Sequence, residues 1–144
     1  MSANTIHLAG EYRKLQSLNL AAAQTPYPGM LLMLDSSGDL TVHATEGGDC
    51  ERILAYEDAL QGETVTDIYT AATLCDCGIE LPGSESQVLV AVDEDIAIGD
   101  YLMSAGDGKF KEKTGTYKPL CVALEAADLT DSGDVDTLVH VRWI

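Results

Sequence analysis

The side chains best suited to chemistry in this sequence are its four cysteines. Cys75 and Cys77 are separated by one residue, whereas the paired ligands of a zinc site usually stand two to four residues apart. A distant histidine, either His43 or His140, would have to complete such a site. We therefore predict no metal ion and interpret the thiols as small buried hydrophobic groups. A disulfide is the minor alternative, because synthesis in the cytoplasm disfavours it.

The histidines and carboxylates show no arrangement typical of catalysis. The three histidines lie far apart, and none stands beside a serine or cysteine in a nucleophile-elbow pattern. His140 alternates with apolar residues, which indicates a structural role. Adjacent acids such as Glu57 and Asp58 are expected by chance in so acidic a chain, whereas paired-acid catalysis needs two carboxyl groups across a cleft. We expect no enzyme activity and no cofactor.

Residues 131–136 (DSGDVD) faintly resemble a calcium-binding loop. The segment lacks the complete twelve-residue ligand pattern and its closing glutamate. The prediction of no bound metal therefore includes this segment.

The charge balance limits the possible partners. Twenty-four acids against eight bases give a net charge of −16, which repels nucleic-acid phosphates and anionic membranes. No apolar run reaches the roughly 18 residues needed to span a bilayer. The N-terminus lacks the basic start and apolar stretch of a signal peptide. We therefore expect no direct nucleic-acid or membrane partner, and synthesis in the cytoplasm.

The charge is unevenly distributed along the chain. Residues 1–34 contain one acid (Glu11) and two bases (Arg13 and Lys14), whereas residues 35–144 contain 23 acids and six bases. This division indicates that the two parts meet different environments. Chance clustering in a short segment is the alternative.

The elements that would position these residues form two regions. In residues 1–29 the sequence TPYPG at 25–29 stops any helix, so we predict an extended arm, with at most one helical turn, that docks on a partner. Residues 30–144 contain many short apolar runs separated by Gly-Asp turns, which predicts an all-β fold, a small β-barrel or sandwich. Within it, Cys75, Cys77, Ile79 and Leu81 alternate and should share one face of a strand.

Lys109, Lys111 and Lys113 alternate directly after the turn sequence Gly-Asp-Gly at 106–108. They form a basic stripe on one predicted strand of a very acidic chain. We predict that the stripe pairs with an acidic neighbour such as the next subunit. The alternative is that these lysines protect an edge strand from unwanted pairing.

Several segments, taken in order, resemble signatures of the head decoration (capsid cement) proteins of tailed bacteriophages. They are residues 55–62 (AYEDALQG) with 67–69 (DIY), 98–102 (IGDYL) with 106–110 (GDGKF), and 122–128 (VALEAAD). The match runs over nearly the whole chain. The chain departs from the family at Tyr56, where leucine is frequent, and at Cys121, where glycine is frequent.

The resemblance implies a structural virion protein, made in the host cytoplasm, that binds the outer capsid surface. Such proteins cement neighbouring copies of the major capsid protein, often as trimers, and their N-terminal arm pairs with capsid elements. Residues 4–8 of this chain have the alternating pattern of a strand that could be added to a partner. The predicted capsid-binding residues are Ile6, Leu8, Tyr12, Arg13 and Lys14.

An alternative function is a phage tail or baseplate β-domain that binds a host glycan. Such a domain should group exposed aromatic residues in a groove. One tryptophan, one phenylalanine and six scattered tyrosines give this alternative little support.

Overall fold

The structure is a computed structural model that describes residues 4–15 and 17–144. Over these residues the fold is all-β, as predicted, with short strands and one turn of 3₁₀ helix (Ala59–Gln61). In chain order the strands are β1 (His7–Ala9), β2 (Tyr12–Lys14), β3 (Leu18–Asn19), β4 (Leu31–Leu34), β5 (Leu40–Val42), β6 (Ile53–Ala55), β7 (Leu74–Cys75), β8 (Cys77–Glu80), β9 (Glu85–Val90), β10 (Asp95–Ile96), β11 (Tyr101–Ser104), β12 (Phe110–Glu112), β13 (Cys121–Ala123), β14 (Ala127–Asp128) and β15 (Thr137–Trp143). The described residues contain no helix that is long and apolar enough to cross a membrane.

Five of these strands close into a barrel. The order is β9-β12-β11-β13-β15, and β15 returns to pair with β9 along six residue pairs. The pairing of β12 with β9 is parallel, and the other four pairings are antiparallel. Inside the barrel, the rings of Phe110 and Trp143 meet edge to face with centroids 5.9 Å apart. Closure satisfies the main-chain groups that would otherwise form open edges.

A second sheet packs against the barrel in the order β2-β8-β6-β4-β5. One face, with Leu31 and Leu54, joins the core of the barrel. The other face, with Leu32 and Ile53, belongs to a separate smaller core. Because both faces are covered, all three residues of β6 are buried, and a continuous apolar run at 53–55 is the expected sequence of such a strand.

In the isolated chain, the described part of the predicted arm (residues 4–15 and 17–29) is built into the body. Strand β1 pairs with β9 of the barrel, and β2 pairs with β8 of the second sheet. Leu15, Leu18 and Leu20 complete the smaller core, which the other elements alone would leave open. This packing corrects the expectation of an arm without a core of its own. Docking of the segment on a partner stays a prediction.

Gly29 joins the two sheets by its main chain. Its N–H donates to the carbonyl of Ala55 at 2.8 Å, and its carbonyl accepts from the N–H of Leu89 at 3.0 Å. Its φ of +90° is unfavourable for other residues. An added Cβ would also lie 2.6 Å from Cδ2 of Leu138. The positive φ and the close approach of Leu138 and of the main-chain N of Leu89, 3.2 Å from an added Cβ, together favour glycine at this position.

The predicted strands in the second half of the chain are confirmed with small shifts at their ends. Strands β11 and β12 form the antiparallel hairpin expected around residues 106–108. The strand predicted from Leu74 to Leu81 is divided at Asp76 into β7 and β8. Cys75, Cys77 and Ile79 nevertheless face the same smaller core, whereas Leu81 lies beyond the end of β8.

Candidate functional site

Tyr12, Arg13 and Lys14 constitute β2, which is an edge strand of the second sheet. They pair in antiparallel register with Glu80, Ile79 and Gly78 of β8. All three side chains are exposed. The structure therefore brings three of the five predicted capsid-binding residues together on one accessible edge.

The other two predicted binding residues are placed differently. Ile6 has no exposed surface and belongs to the barrel core. Its N–H donates to Oε2 of Glu57 at 3.0 Å, and its carbonyl accepts from the N–H of Gln87 at 2.8 Å. In this conformation the Ile6 side chain is inaccessible to a partner, contrary to the expected exposed arm, and its role in capsid binding stays a prediction. Leu8 is half-buried in β1, where a partner could reach only part of its side chain.

Glu80 anchors this region from inside the protein. It is 1% exposed, and its two carboxylate oxygens contact three side chains. Oε1 accepts from the hydroxyl of Tyr56 at 3.0 Å, Oε2 lies 2.8 Å from Oγ of Ser84, and Nδ1 of His7 lies 3.1 Å from Oε1. A buried carboxylate is tolerated only when it is paired and hydrogen-bonded in this way.

The Tyr56 hydroxyl is a stable donor to Glu80. Burial, followed by the charge of the Glu80 carboxylate, raises the pKa of Tyr56 above its usual range. The phenol therefore keeps its proton at neutral pH. Gly78 leaves the space that the Tyr56 ring occupies, because an added Cβ would lie 2.5 Å from its hydroxyl.

Tyr12 is held in place by the same group of residues. Its ring lies against the ring of His7 with centroids 4.0 Å apart, and meets the ring of Tyr56 edge to face at 5.7 Å. Nε2 of His7 lies 3.1 Å from the carbonyl of Gly10, which fixes the turn between β1 and β2. The start of the exposed strand β2 is therefore held in place by the packing of Tyr12 against His7 and Tyr56.

Sequence reasoning missed Glu80 and its partners. Their positions in the sequence are far apart, and the pattern of β8 directed attention to the apolar face that carries Cys77 and Ile79. The available signal was an acid between Ile79 and Leu81, inside a predicted strand. Such an acid needs a buried partner or an open surface, and only the structure shows which of these it has.

The three lysines of the predicted subunit contact have partners within the chain. Nζ of Lys109 lies 2.9 Å from Asp136, and Nζ of Lys111 lies 2.9 Å from Glu46. These contacts raise the pKa of both lysines. Nζ of Lys113 donates to the carbonyl of Gly115 at 3.0 Å. A contact with another subunit stays a prediction, and it would have to share or replace these interactions.

The cysteines are free thiols, and Cys75, Cys77 and Cys121 have no exposed surface. Burial raises the pKa of Cys77 to about 11 and moves the pKa of Cys75 and Cys121 in the same direction. Thiols in this state are poor nucleophiles and poor metal ligands, because both roles require the thiolate. The interpretation as small buried hydrophobic groups is confirmed for these three, whereas Cys50 is half-buried.

His43 and Ser104 form a contact that resembles part of a catalytic dyad. Nδ1 of His43 accepts from Oγ of Ser104 at 2.7 Å, and Nε2 donates to the carbonyl of Asp49 at 3.1 Å. The two side chains are 3% and 1% exposed, and Oγ of Ser104 also accepts from the N–H of Gly106. The pair therefore fixes the loop after β5 against β11, and His43 also lines a cleft of about 420 Å³ together with Asp49 and Cys50.

His140 has a structural position as predicted. Its Nε2 lies 2.7 Å from Oε1 of Glu85 on the neighbouring strand β9. Its main-chain N–H donates to Oε1 of Glu125 at 2.8 Å. These contacts link β15 to its surroundings.

An acidic cleft of about 370 Å³ lies beside the 3₁₀ turn. Its carboxylates come from Asp58, Glu63 and Asp67. A hydrogen bond with Asp67 raises the pKa of Glu63, whereas the main-chain N–H of Thr64 lowers the pKa of Asp67. Neither these three carboxylates nor any other group of three or more His, Cys, Asp or Glu side chains among the described residues is arranged so that it could hold a metal ion.

The segment at 131–136 uses its carboxylates internally. Asp134 accepts from the N–H of Asp131 at 2.8 Å. Asp136 accepts from the N–H of Val92 at 2.9 Å and pairs with Lys109. The segment is therefore a turn whose acids stabilise the neighbouring strands.

Two further clefts, of about 290 and 260 Å³, adjoin each other beside Tyr27. Leu89 and Asp136, like Tyr27, line both clefts. The surface between them is mainly apolar and carries no nucleophile beside a base.

Comparison with known proteins identifies a structural relative but no sequence family. No protein-family model matches the chain, and no curated protein matches it. Among solved structures, the chain is similar to the head fiber gp8.5 N base of bacteriophage phi29, with a TM-score of 0.57 and 18% sequence identity. The similarity covers 90% of this chain and 93% of that chain. At this identity, it establishes a shared fold.

Proposed function

We propose that this protein is a structural component of a tailed-bacteriophage virion that binds the outer surface of the head. The observation that carries the proposal is the fold shared with the base of a phage head fiber, which extends over 90% of this chain and 93% of the other. Coverage of both chains indicates that the architecture corresponds as a whole. The ordered segments that resemble head decoration proteins support the same assignment independently.

More specifically, we propose that the protein cements neighbouring copies of the major capsid protein. A subunit that binds only the assembled shell stabilises that shell by mass action. A single subunit or oligomer that contacts two or more capsid proteins at once gains affinity, because its linked contacts form together. We assign the capsid contact to Tyr12, Arg13 and Lys14, and propose self-association as a trimer with Lys109, Lys111 and Lys113 near the subunit contact.

The charge of the chain fits an outward-facing subunit. Residues 35–144 contain 23 acids and six bases, and this excess repels other particles that carry the same coat. The contact of His43 with Ser104, which most resembles part of a catalytic dyad, is buried, with the two side chains 3% and 1% exposed. A structural role is therefore favoured over a catalytic one.

A glycan-binding tail or baseplate domain is the weaker alternative. None of the clefts described above is lined by more than one tyrosine. Tyr12 is exposed and contacts the rings of His7 and Tyr56, but Tyr56 is buried. Tyr27, Tyr101 and Tyr117 are also exposed, and the described structure has no ring contact among them. Sugar rings generally stack on aromatic side chains, so this distribution gives the alternative little support.

The proposal is tested by sedimentation of the purified chain with expanded phage heads that lack it. We expect the wild-type chain to sediment with the heads, and Arg13→Glu to reduce the bound fraction. Lys118→Glu is a matched control, because it makes the same change in charge at a side chain that is 80% exposed, lies outside β2 and has only a long contact of 3.8 Å with Asp49. Failure of the wild-type chain to sediment, together with its absence from purified virions by mass spectrometry, would contradict the proposal.

A further inference from the structure

We infer that the outer edge of β2 is a docking site for an extended segment of a partner protein that carries an acidic side chain opposite Arg13. The segment would join the second sheet as an additional strand. The inference rests on the proposed function only for the identity of the partner, the major capsid protein. The edge itself follows from the hydrogen bonds and charges of this chain.

The direction of the main-chain groups in β2 follows from one hydrogen bond. The N–H of Leu15 donates to the carbonyl of Cys77 at 3.1 Å, so Leu15 faces β8. In an antiparallel ladder the facing direction alternates along the strand. Arg13 therefore also bonds to β8, whereas the N–H and carbonyl groups of Tyr12 and Lys14 point away from the sheet. No described residue bonds to these outward groups.

The opposite edge of the same sheet is covered. The carbonyl of Leu40 in β5 accepts from the N–H of Ala21 at 3.0 Å. The N–H of Val42 donates to Oε1 of Gln24 at 3.0 Å. The chain thus protects one edge of its second sheet with its own residues and leaves the other without a described partner. Unpaired edges are templates for an incoming strand.

The charges at this edge indicate what the incoming strand carries. Arg13 has no carboxylate partner among the described residues, although the protein has 24 acids. Lys14 is already paired with Asp76 at 3.3 Å. A residue directly opposite Arg13 on an added strand would lie on the same face, with Cβ atoms about 5 Å apart. An aspartate or glutamate at that place would pair with Arg13.

The geometry also sets the length of the contact. Residues opposite Tyr12 and Lys14 would each exchange two main-chain hydrogen bonds, and the acid would stand between them. Three residues are therefore sufficient, with a pattern in which the central residue is acidic. Because Tyr12 is already packed on His7 and Tyr56, its side chain would lose little conformational entropy on binding.

The competing explanation is that two basic residues keep this edge from pairing at all. The two explanations differ in the exchange of individual amides. We would measure hydrogen exchange at single-residue resolution for the isolated chain and for the chain bound to heads. The amides of Arg13 and Leu15 should be protected in both states. The amides of Tyr12 and Lys14 should exchange freely in the isolated chain and at least about tenfold more slowly when bound.

Each outcome of this measurement is informative. If the chain is on the head and the amides of Tyr12 and Lys14 exchange as in the isolated chain, the inference is wrong and the proposed function stands. If the chain does not bind heads, the proposed function fails, and a peptide tests the edge independently. The probe is acetyl-Thr-Val-Glu-Val-Thr-amide, with Lys in place of Glu in the control peptide.

With the Glu peptide, nuclear magnetic resonance should show shifts of the Tyr12 and Lys14 amides that the Lys peptide produces more weakly. Absence of shifts at these two amides at millimolar peptide would overturn the inference.

Lys14→Pro removes one outward N–H and should weaken binding of heads or peptide about fivefold to tenfold. Lys14→Ala also loses the contact with Asp76 but keeps the N–H, and should bind better than Lys14→Pro. Equal binding by the two variants, both shown to be folded by circular dichroism, would contradict strand addition.

Discussion

His7 and Glu80 are joined by a contact of 3.1 Å between Nδ1 and Oε1, and this contact connects the two main sheets of the protein. His7 lies in β1, on the barrel, and Glu80 lies in β8, in the second sheet. Tyr56 and Ser84 complete the surroundings of the Glu80 carboxylate. The N-terminal segment, which carries the proposed docking strand, is thus fixed by a buried polar group as well as by apolar packing.

Removing the Glu80 carboxylate should destabilise the fold strongly. Glu80→Ala leaves the buried hydroxyl of Tyr56 without its acceptor and removes the ionic partner of His7, whereas the Ser84 hydroxyl can still donate to the carbonyl of Leu81. We expect a loss of about 3 kcal/mol in the free energy of unfolding. Urea denaturation measures this loss. Glu112→Ala, at an exposed position, is the control and should stay within about 0.5 kcal/mol of wild type. A small effect of Glu80→Ala would show that the buried contacts contribute little.

Truncation of Ile6 should reveal that the N-terminal segment belongs to the core. Ile6→Ala removes a fully buried side chain, and we expect a loss of about 2–5 kcal/mol in the free energy of unfolding. Leu60→Ala, at a side chain that is 93% exposed, should change it little. Similar stabilities of the two variants in urea would indicate that the segment is detached in solution. Because of this packing, substitutions in β2 test partner binding more cleanly than deletion of residues 1–14.

Gly29→Ala should destabilise the contact between the sheets more than a glycine substitution in an open turn. Gly29 and Gly38 both have positive φ, at +90° and +82°, so both variants incur a similar backbone cost. An added Cβ meets Leu138 only at Gly29, whereas nothing lies within 4 Å at Gly38. We expect Gly29→Ala to cost at least about 1 kcal/mol more than Gly38→Ala. Thermal unfolding of the pair tests this, and equal costs would contradict it.

The buried thiol of Cys77 should make stability depend on pH in the alkaline range. Its pKa is raised by burial from 9.0 to about 11, so above pH 9 the unfolded chain releases a proton that the folded chain keeps. The contribution is complete below pH 9 and is lost as the pH rises toward 11. The free energy of unfolding of Cys77→Ala should therefore fall less steeply than that of wild type between these pH values. Parallel pH profiles of the two proteins would show that the thiol is accessible to water.

Much of the fold could be predicted from local pattern. Alternating and continuous apolar runs, separated by Gly-Asp turns, indicated an all-β protein, and the hairpin of β11 and β12 follows directly from the turn at 106–108. The fate of the N-terminal segment could not be predicted in this way. Leu15, Leu18 and Leu20 give no clear period, and their burial depends on a cavity that distant strands create.

The candidate site was only partly predictable for the same reason. Tyr12, Arg13 and Lys14 stand out by charge and position in the sequence, and the structure places them together on an exposed edge. Ile6 follows the same alternating pattern as its neighbours, but the barrel offers it an apolar site and buries it completely. The lysines after residue 108 are predicted from their alternation to form a stripe, but only Lys111 lies within β12, and the partners Asp136 of Lys109 and Glu46 of Lys111 are distant in the sequence.

By itself the sequence determined the charge, the class of fold and the shared face of Cys75 and Cys77, because composition and periodicity express these properties locally. Only the tertiary structure decided which strands close the barrel, which edge remains open and which carboxylate is buried. Those features depend on contacts between residues far apart in the chain, such as His7 with Glu80, and no local pattern specifies them.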